Sequence, residues 1–267
     1  MLTVRRAAVA GRFYPDDPGE LRSSVERFIE AGRKTHAPTG SGLKAIIVPH
    51  AGYVFSGPIA GTAYAQLSSI AGTVKRVVLL GPAHHVGFTG LAVSGADGFA
   101  TPLGEVSIDT ETVDNLRRLP HVRRLDEAHA AEHSLEVQLP FLQVALDTEF
   151  QLTPLAVGKA SAAEVAEALT LVWGGPETIL VVSSDLSHHH DYATAKRLDH
   201  ETSQWIEALQ FEKLSGPRAC GYAGIRGLLQ LARQRGLQVT TLDVRSSGDT
   251  SGPREQVVGY GAYAIHT

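Results

Sequence analysis

TILVVSSDLSHHHDY (178–192) runs from an apolar, β-branched stretch straight into two serines, an aspartate and three adjacent histidines. An apolar run this short, with no polar alternation, is the pattern of a strand covered on both faces. Similar runs recur at LKAIIVP (43–49), KRVVLLGP (75–82), QLTPLAVG (151–158), QVTTLDV (238–244) and GYGAYAIHT (259–267). Helical patterns fall between them, at about 18–32, 57–68, 109–118, 134–146, 161–174, 191–208 and 219–235. Asp17 with Pro18, and Ser161 before AAEVAEAL, supply start signals. The segment 87–108 reads instead as two or three short strands with glycine-rich turns. The alternation predicts an α/β fold with a mostly parallel central sheet flanked by helices on both faces. The linker-like HAPTGSG (36–42) lies too near the N-terminus to divide domains, so residues 1–267 are expected to form one domain.

Composition removes several function classes. The net charge of −4 gives no basic footprint for nucleic acid or an anionic membrane. No apolar run reaches the roughly 18 residues of a membrane span. The apolar part of MLTVRRAAVAGRFYP is too short for a signal sequence, and a single cysteine, Cys220, cannot form an internal disulfide. The expectation is a cytoplasmic protein.

In open α/β sheets, ligands bind beyond the carboxyl ends of the strands. AIIV is followed by Pro49-His50-Ala51-Gly52-Tyr53, VVLL by Gly81-Pro82-Ala83-His84-His85, and ILVV by Ser183-Ser184-Asp185-Leu186-Ser187-His188. Three strands thus end in histidine-bearing loops on what should be one rim. In GPAHH the two imidazoles point in different directions, so one can reach a shared metal while the other orients a ligand or faces a substrate. If His188, His189 and His190 begin a helix, their side chains diverge by about 100° each, and no more than two can face the rim.

Two further clusters bear on the site. Within DEAHAAEHSLEVQLPF (126–141), Glu132 and His133 could line a cleft and orient a ligand imidazole, while Ser134 could simply cap a helix. Cys220, in GPRACGYAGIRGLLQLA, sits at a helix mouth, where the dipole would favour thiolate; the alternative is a small buried apolar residue. Two histidines with an anionic third ligand suit iron(II), and a thiolate in that place also suits zinc or copper. HExxH, paired CxxC, a P-loop and a GxSxG elbow are all absent. Tyr53, Phe55, Phe88, Phe99 and Tyr222 could wall a pocket or pack internally.

Taken in order, AGRFYP, VPHAGYVFSG, LLGPAHH, EHSLEVQLPF, VVSSDLSH and ACGYAGI resemble the Memo family over essentially the whole chain. That family is similar to the class III extradiol ring-cleaving dioxygenases, so the resemblance implies an α/β fold of that kind. It implies that His50 and His84 are imidazole ligands to a metal and Cys220 the thiolate ligand. It also implies that His188 acts as general acid/base, with Asp185 as a neighbouring acid of the same pocket. Relative to the dioxygenases, a cysteine replaces a carboxylate ligand, which changes the electronics of bound iron and leaves an oxidisable sulfur beside it. The family's microbial members are often encoded beside a radical-SAM protein and an AMMECR-domain protein, so a functional link to both is implied.

Three functions remain open. One is a non-haem iron or copper oxidoreductase. Another is a non-catalytic module binding a peptide or small ligand in a vestigial dioxygenase pocket. The third is metal-assisted hydrolysis, with His188 as base.

Overall fold

The computed structural model describes residues 2–38, 40 and 42–267; Thr39 and Ser41, within the linker-like stretch 36–42, lie outside these. In chain order the elements are β1 (Val4–Arg5), α1 (Pro18–Thr35), β2 (Leu43–Val48), α2 (Tyr53–Ala65), β3 (Arg76–Pro82), β4 (Leu91–Val93), β5 (Gly98–Thr101), β6 (Gly104–Ser107), α3 (Thr110–Leu116) and β7 (Val122–Arg124). They continue as α4 (Glu127–Ala130), α5 (His133–Glu136), α6 (Leu139–Leu146), β8 (Gln151–Val157), α7 (Ala162–Leu171), β9 (Thr178–Ser183), β10 (His188–His190), α8 (Tyr192–Glu207), α9 (Tyr222–Arg235), β11 (Gln238–Ser246), α10 (Ser247–Thr250) and β12 (Val257–His266).

The main sheet has the order β10-β12-β2-β9-β3-β8-β4-β7, with β11 paired to β12. Its centre, β2-β9-β3-β8, is parallel throughout. The flanks are mixed: β12 runs antiparallel to β2, β10 and β11, and β4 runs antiparallel to β8. Residues 247–256 are too few for the crossover that a parallel β11–β12 pair would need. Of the short strands expected over 87–108, β4 joins the main sheet, whereas β5 and β6 form a small separate sheet with β1.

Every residue of β2 and of β9 is buried, which requires cover on both faces. On one face lies α9: a Cβ added at its Gly224 would sit 3.3 Å from the Val182 side chain. Ser183, the next residue along β9, turns to the opposite face, where its hydroxyl donates to the Ser134 carbonyl of α5. Helices α1, α2 and α6 pack on one another, and α2 lies on β2, β11 and β12. Each fully buried Val, Leu or Ile of this core stabilises the fold by about 1.5–3 kcal/mol. Among the described residues no helix is long and apolar enough to cross a membrane.

Helix starts follow local chemistry. The Asp17 carboxylate accepts from Glu20 N–H at the head of α1, and Ser161 forms a reciprocal capping box with Glu164 at α7. Two expectations are corrected here. The histidines 188–190 do not begin a helix; they form β10, paired with the start of β12, and His189 adopts a left-handed backbone with φ 62°. Helix α8 starts only at Tyr192, where the Asp191 carboxylate accepts from Thr194 N–H. At α5 the cap is Glu132, not Ser134: the Glu132 carboxylate accepts from Ser134 N–H, while the Ser134 hydroxyl donates to the Pro82 carbonyl.

Candidate metal centre

The parallel register delivers the site. Val48 pairs with Ser183 across β2 and β9, and Leu80 pairs with Val182 across β3 and β9. The residues just past these strand ends, His50, Asp185 and His84, therefore emerge side by side although they are far apart in sequence. Ser184 N–H donates to the Val48 carbonyl, and the Asp185 carboxylate accepts from His50 N–H at 2.7 Å. The same SSD turn holds the segment before α9. Cys220 N–H donates to the Asp185 carbonyl, Asp185 N–H donates to Cys220 Sγ at 3.3 Å, and Gly221 N–H donates to the Ser184 hydroxyl. Glycine is required at 221, because a Cβ there would meet the Ser183 carbonyl oxygen at 2.6 Å.

The outcome is a cluster in which one ligand atom each from His50, His84 and Cys220 lies within 4.8 Å of the other two. His50 Nε2 is 3.3 Å from Cys220 Sγ. Nitrogen and sulfur bound tetrahedrally to one zinc-sized ion would be about 3.5 Å apart, given bond lengths near 2.0 and 2.3 Å. The donor set of two imidazoles and a thiol suits zinc, copper or iron. Both imidazoles are engaged through Nδ1, with Ser183 Oγ at 2.9 Å for His50 and Glu132 Oε1 at 2.9 Å for His84, which leaves each Nε2 for the shared point. The residues fit a bound metal ion.

Electrostatics separates the members. Burial, reinforced by the neighbouring His84, pushes His50 down to about 3, so its ring is neutral near pH 7. Burial also opposes charge on His84, but the hydrogen bond and charge of Glu132 outweigh it and raise the group. Burial works against ionised Glu132 too, yet the His84 ring, with the His84 and Ser134 amides, holds it far below the usual carboxylate range. His133 stacks on His84 with ring centroids 4.8 Å apart, and burial beside His50 lowers it to about 4. Asp185 is raised by burial, against the pull of the His50 amide and nearby imidazoles.

At the Cys220 thiol, burial is the largest influence. Burial and the adjacent Asp185 push it up to about 12, despite amide donors from Asp185 and Gly221. The helix begins only at Tyr222, two residues beyond Cys220, and the sulfur accepts from the Asp185 N–H. A thiol in this setting is a poor free nucleophile, and a bound cation is what would bring it to thiolate.

The remaining sequence candidates divide. His188 donates through Nδ1–H to the Leu186 carbonyl at 2.8 Å, which leaves Nε2 uncommitted, and it is an electrostatic neighbour of both His50 and Asp185. His85 is exposed on the rim, its ring 6.2 Å from that of His133, and it is not part of the donor cluster. Tyr53 does not wall a pocket: it is buried against Phe141 and Tyr14, with its hydroxyl donating to the Val137 carbonyl. Phe99 is likewise in the core. Phe88 and Tyr222 do line open space, a groove of about 560 Å³ beside Cys220 that also takes in Val86, Gly87 and Lys159.

The sequence alone does not show the roles of Ser183, Gln138 and Glu136. A glutamine inside the apolar run LEVQLPF was the available signal for Gln138, since a buried amide needs partners. Glu136, fully buried, pairs with Arg5 and accepts from Ala8 N–H, Val9 N–H and the Tyr14 hydroxyl, pinning the N-terminal AGRFYP segment beside the site.

A family model described as Memo-like protein matches residues 5–264. A MEMO1 family protein of Sulfolobus acidocaldarius is 36% identical over 278 aligned residues, covering 96% of this chain and 97% of the relative. MEMO1 family proteins of Saccharolobus islandicus and Saccharolobus solfataricus are 35% and 33% identical with the same coverage.

Proposed function

The chain belongs to the Memo family, and from that premise we propose that His50, His84 and Cys220 hold one redox-active metal ion in an oxidoreductase site. Iron(II) is the first choice and copper the alternative for this redox role; zinc, which has no redox chemistry, would fit the same donors only in a hydrolytic or structural site. The observation that carries the reading is the convergence of three donor atoms, from three separate strand-end or helix-start segments, to within 4.8 Å of one another. Bound there, such an ion would supply electron transfer with a substrate or dioxygen.

The chain's own groups take the remaining tasks. His188, fixed through Nδ1, presents Nε2 as the group that accepts and returns a proton. Asp185 holds the His50 backbone and the Cys220 segment in register. Glu132 keeps His84 in the tautomer that offers Nε2. A small molecule would approach Cys220 along the groove, its apolar body against Phe88 and Tyr222 and an anionic group toward Lys159. Anaerobic reconstitution with iron(II), copper or zinc in turn, followed by oxygen-consumption measurement, tests the reading. Metal-dependent uptake that the His188→Ala change suppresses is expected; no uptake with any metal would sink the redox assignment.

One observation favours a second reading, a non-catalytic ligand-binding module. Cys220 Sγ and His50 Nε2 lie 3.3 Å apart, a hydrogen bond that a thiol and a neutral imidazole can make by themselves. Ligand affinity that survives both chelation and His50→Ala would select it. The same premise makes a radical-SAM protein and an AMMECR-domain protein the associates to test by co-purification.

A further inference from the structure

Behind His50 lies a chain of neutral hydrogen bonds that ends on groups with no freedom of role. Gln138 Nε2 is 2.9 Å from the Pro49 carbonyl and 2.8 Å from Ser183 Oγ, and Gln138 Oε1 accepts from the Tyr64 hydroxyl at 2.9 Å. Ser183 Oγ is also 2.6 Å from the Ser134 carbonyl and 2.9 Å from His50 Nδ1. Tyr64, Gln138, Ser183 and Ser134 are all buried.

The donors can be counted. A backbone carbonyl only accepts, so the Gln138 amide must turn its NH₂ toward Pro49, and its second N–H then points at Ser183. The Ser134 carbonyl also only accepts, so the single Ser183 hydroxyl hydrogen is spent there. Ser183 Oγ can therefore only accept from His50, and Nδ1 must carry the proton. We infer that Ser183 and Gln138 are positioning residues that lock His50 as its Nδ1–H tautomer, leaving Nε2 as a lone-pair donor aimed at the Cys220–His84 point.

The lock has a second consequence, which rests on the metal-binding reading above. His84 has the same tautomer, but its Nδ1–H is backed by the Glu132 carboxylate at 2.9 Å, which also accepts from the His84 and Ser134 amides. A carboxylate behind an imidazole raises its basicity as a ligand, whereas a hydroxyl already receiving one hydrogen bond does so far less. The two histidines are therefore unequal donors: His84 the stronger, His50 the weaker and more rigidly placed.

Nitrogen-15 NMR of the histidine-labelled, metal-free full chain reads the tautomer directly, and the wild type needs no substitution. His50 is expected to show protonated Nδ1 and unprotonated Nε2; the reverse pattern overturns the lock. In Ser183→Ala the ring should lose this preference, and cobalt(II) affinity, followed by the thiolate-to-cobalt absorption band, should fall about 10-fold or more. Gln138→Met, which removes the donor to Ser183 but keeps the volume, should move both readouts in the same direction by less. An unchanged tautomer with cobalt(II) affinity within twofold in both variants overturns the inference. If wild-type protein takes up no cobalt(II), the metal-binding reading fails while the tautomer measurement still decides the lock.

Discussion

His50 and His84 present the same ring nitrogen to the same point from strands that flank β9, and they differ in everything behind that nitrogen. His50 is buried and rests on the hydroxyl of Ser183, one link in a chain of neutral groups. The His84 side chain is 30% exposed and rests on Glu132, an ionised carboxylate that also takes the His84 amide at 2.6 Å. A buried imidazole is kept neutral by its surroundings and needs only orientation. An exposed one could protonate or swing into water, and a charge tethers it. One site thus solves the same placement problem twice, by enclosure and by ion pairing.

The largest expected effect removes one side of the comparison outright. His84→Ala should abolish stoichiometric metal binding, whereas His188→Ala should leave metal content intact and impair turnover; elemental analysis with an activity trace separates the two. If His84→Ala kept its metal, the tethered imidazole would not be a ligand. Next in size, Glu132→Gln should weaken cobalt(II) binding by about 10–100-fold, more than Ser183→Ala does, because it removes a charge as well as a hydrogen bond. Equal losses in the two variants would erase the proposed inequality.

Smaller, and opposite in sign for the two rings, is the pH dependence of stability in metal-free protein. His50 is depressed to about 3 in the fold, so the unfolded chain binds its proton more readily. Stability from this group is complete above about pH 6.5 and declines as pH falls toward 3. His84 is raised in the fold, so its contribution is complete below about pH 6.5 and disappears as pH rises through its folded value. Glu132, depressed in the fold, adds stability above about pH 4.3 that is lost as pH drops through its folded value. Urea titrations between pH 4 and 8 should show the acid-side decline flattened in His50→Gln and the alkaline-side decline flattened in His84→Gln. The same slopes in both variants would contradict the assignment. Smallest of all, Gly87→Leu fills open space in the groove wall and should shift stability by no more than about 0.5 kcal/mol while blocking ligand access.

What the sequence disclosed follows from the same contrast. The central strands are apolar on both faces and so are legible, and their polar ends, PHAGY, GPAHH and SSDLSH, mark the rim in the sequence alone. The antiparallel flanks are not, because β11 and β12 carry apolar patterns that no periodicity assigns to a direction. The three histidines 188–190 read as a helix start since Asp191 caps a real helix one residue later; pairing with Val257 and Val258, from a strand almost 70 residues on, was invisible locally. Glu132 was a candidate because acid and histidine are adjacent in EHS. Ser183 and Gln138 were not, since a serine at a strand end and a glutamine in the apolar turn between α5 and α6 gain meaning only when register brings them together. The surroundings of Cys220, left open between thiolate and buried residue, were not legible for the same reason: its contact with Asp185 is set by a turn 35 residues away.

X-ray absorption at the metal edge of anaerobically purified protein bears most directly on the central claim that His50, His84 and Cys220 form one centre. One ion per chain with nitrogen and a single sulfur in its coordination shell is expected, with loss of the sulfur in Cys220→Ser. A shell without sulfur, or a metal content and spectrum that Cys220→Ser leaves unaltered, would contradict it.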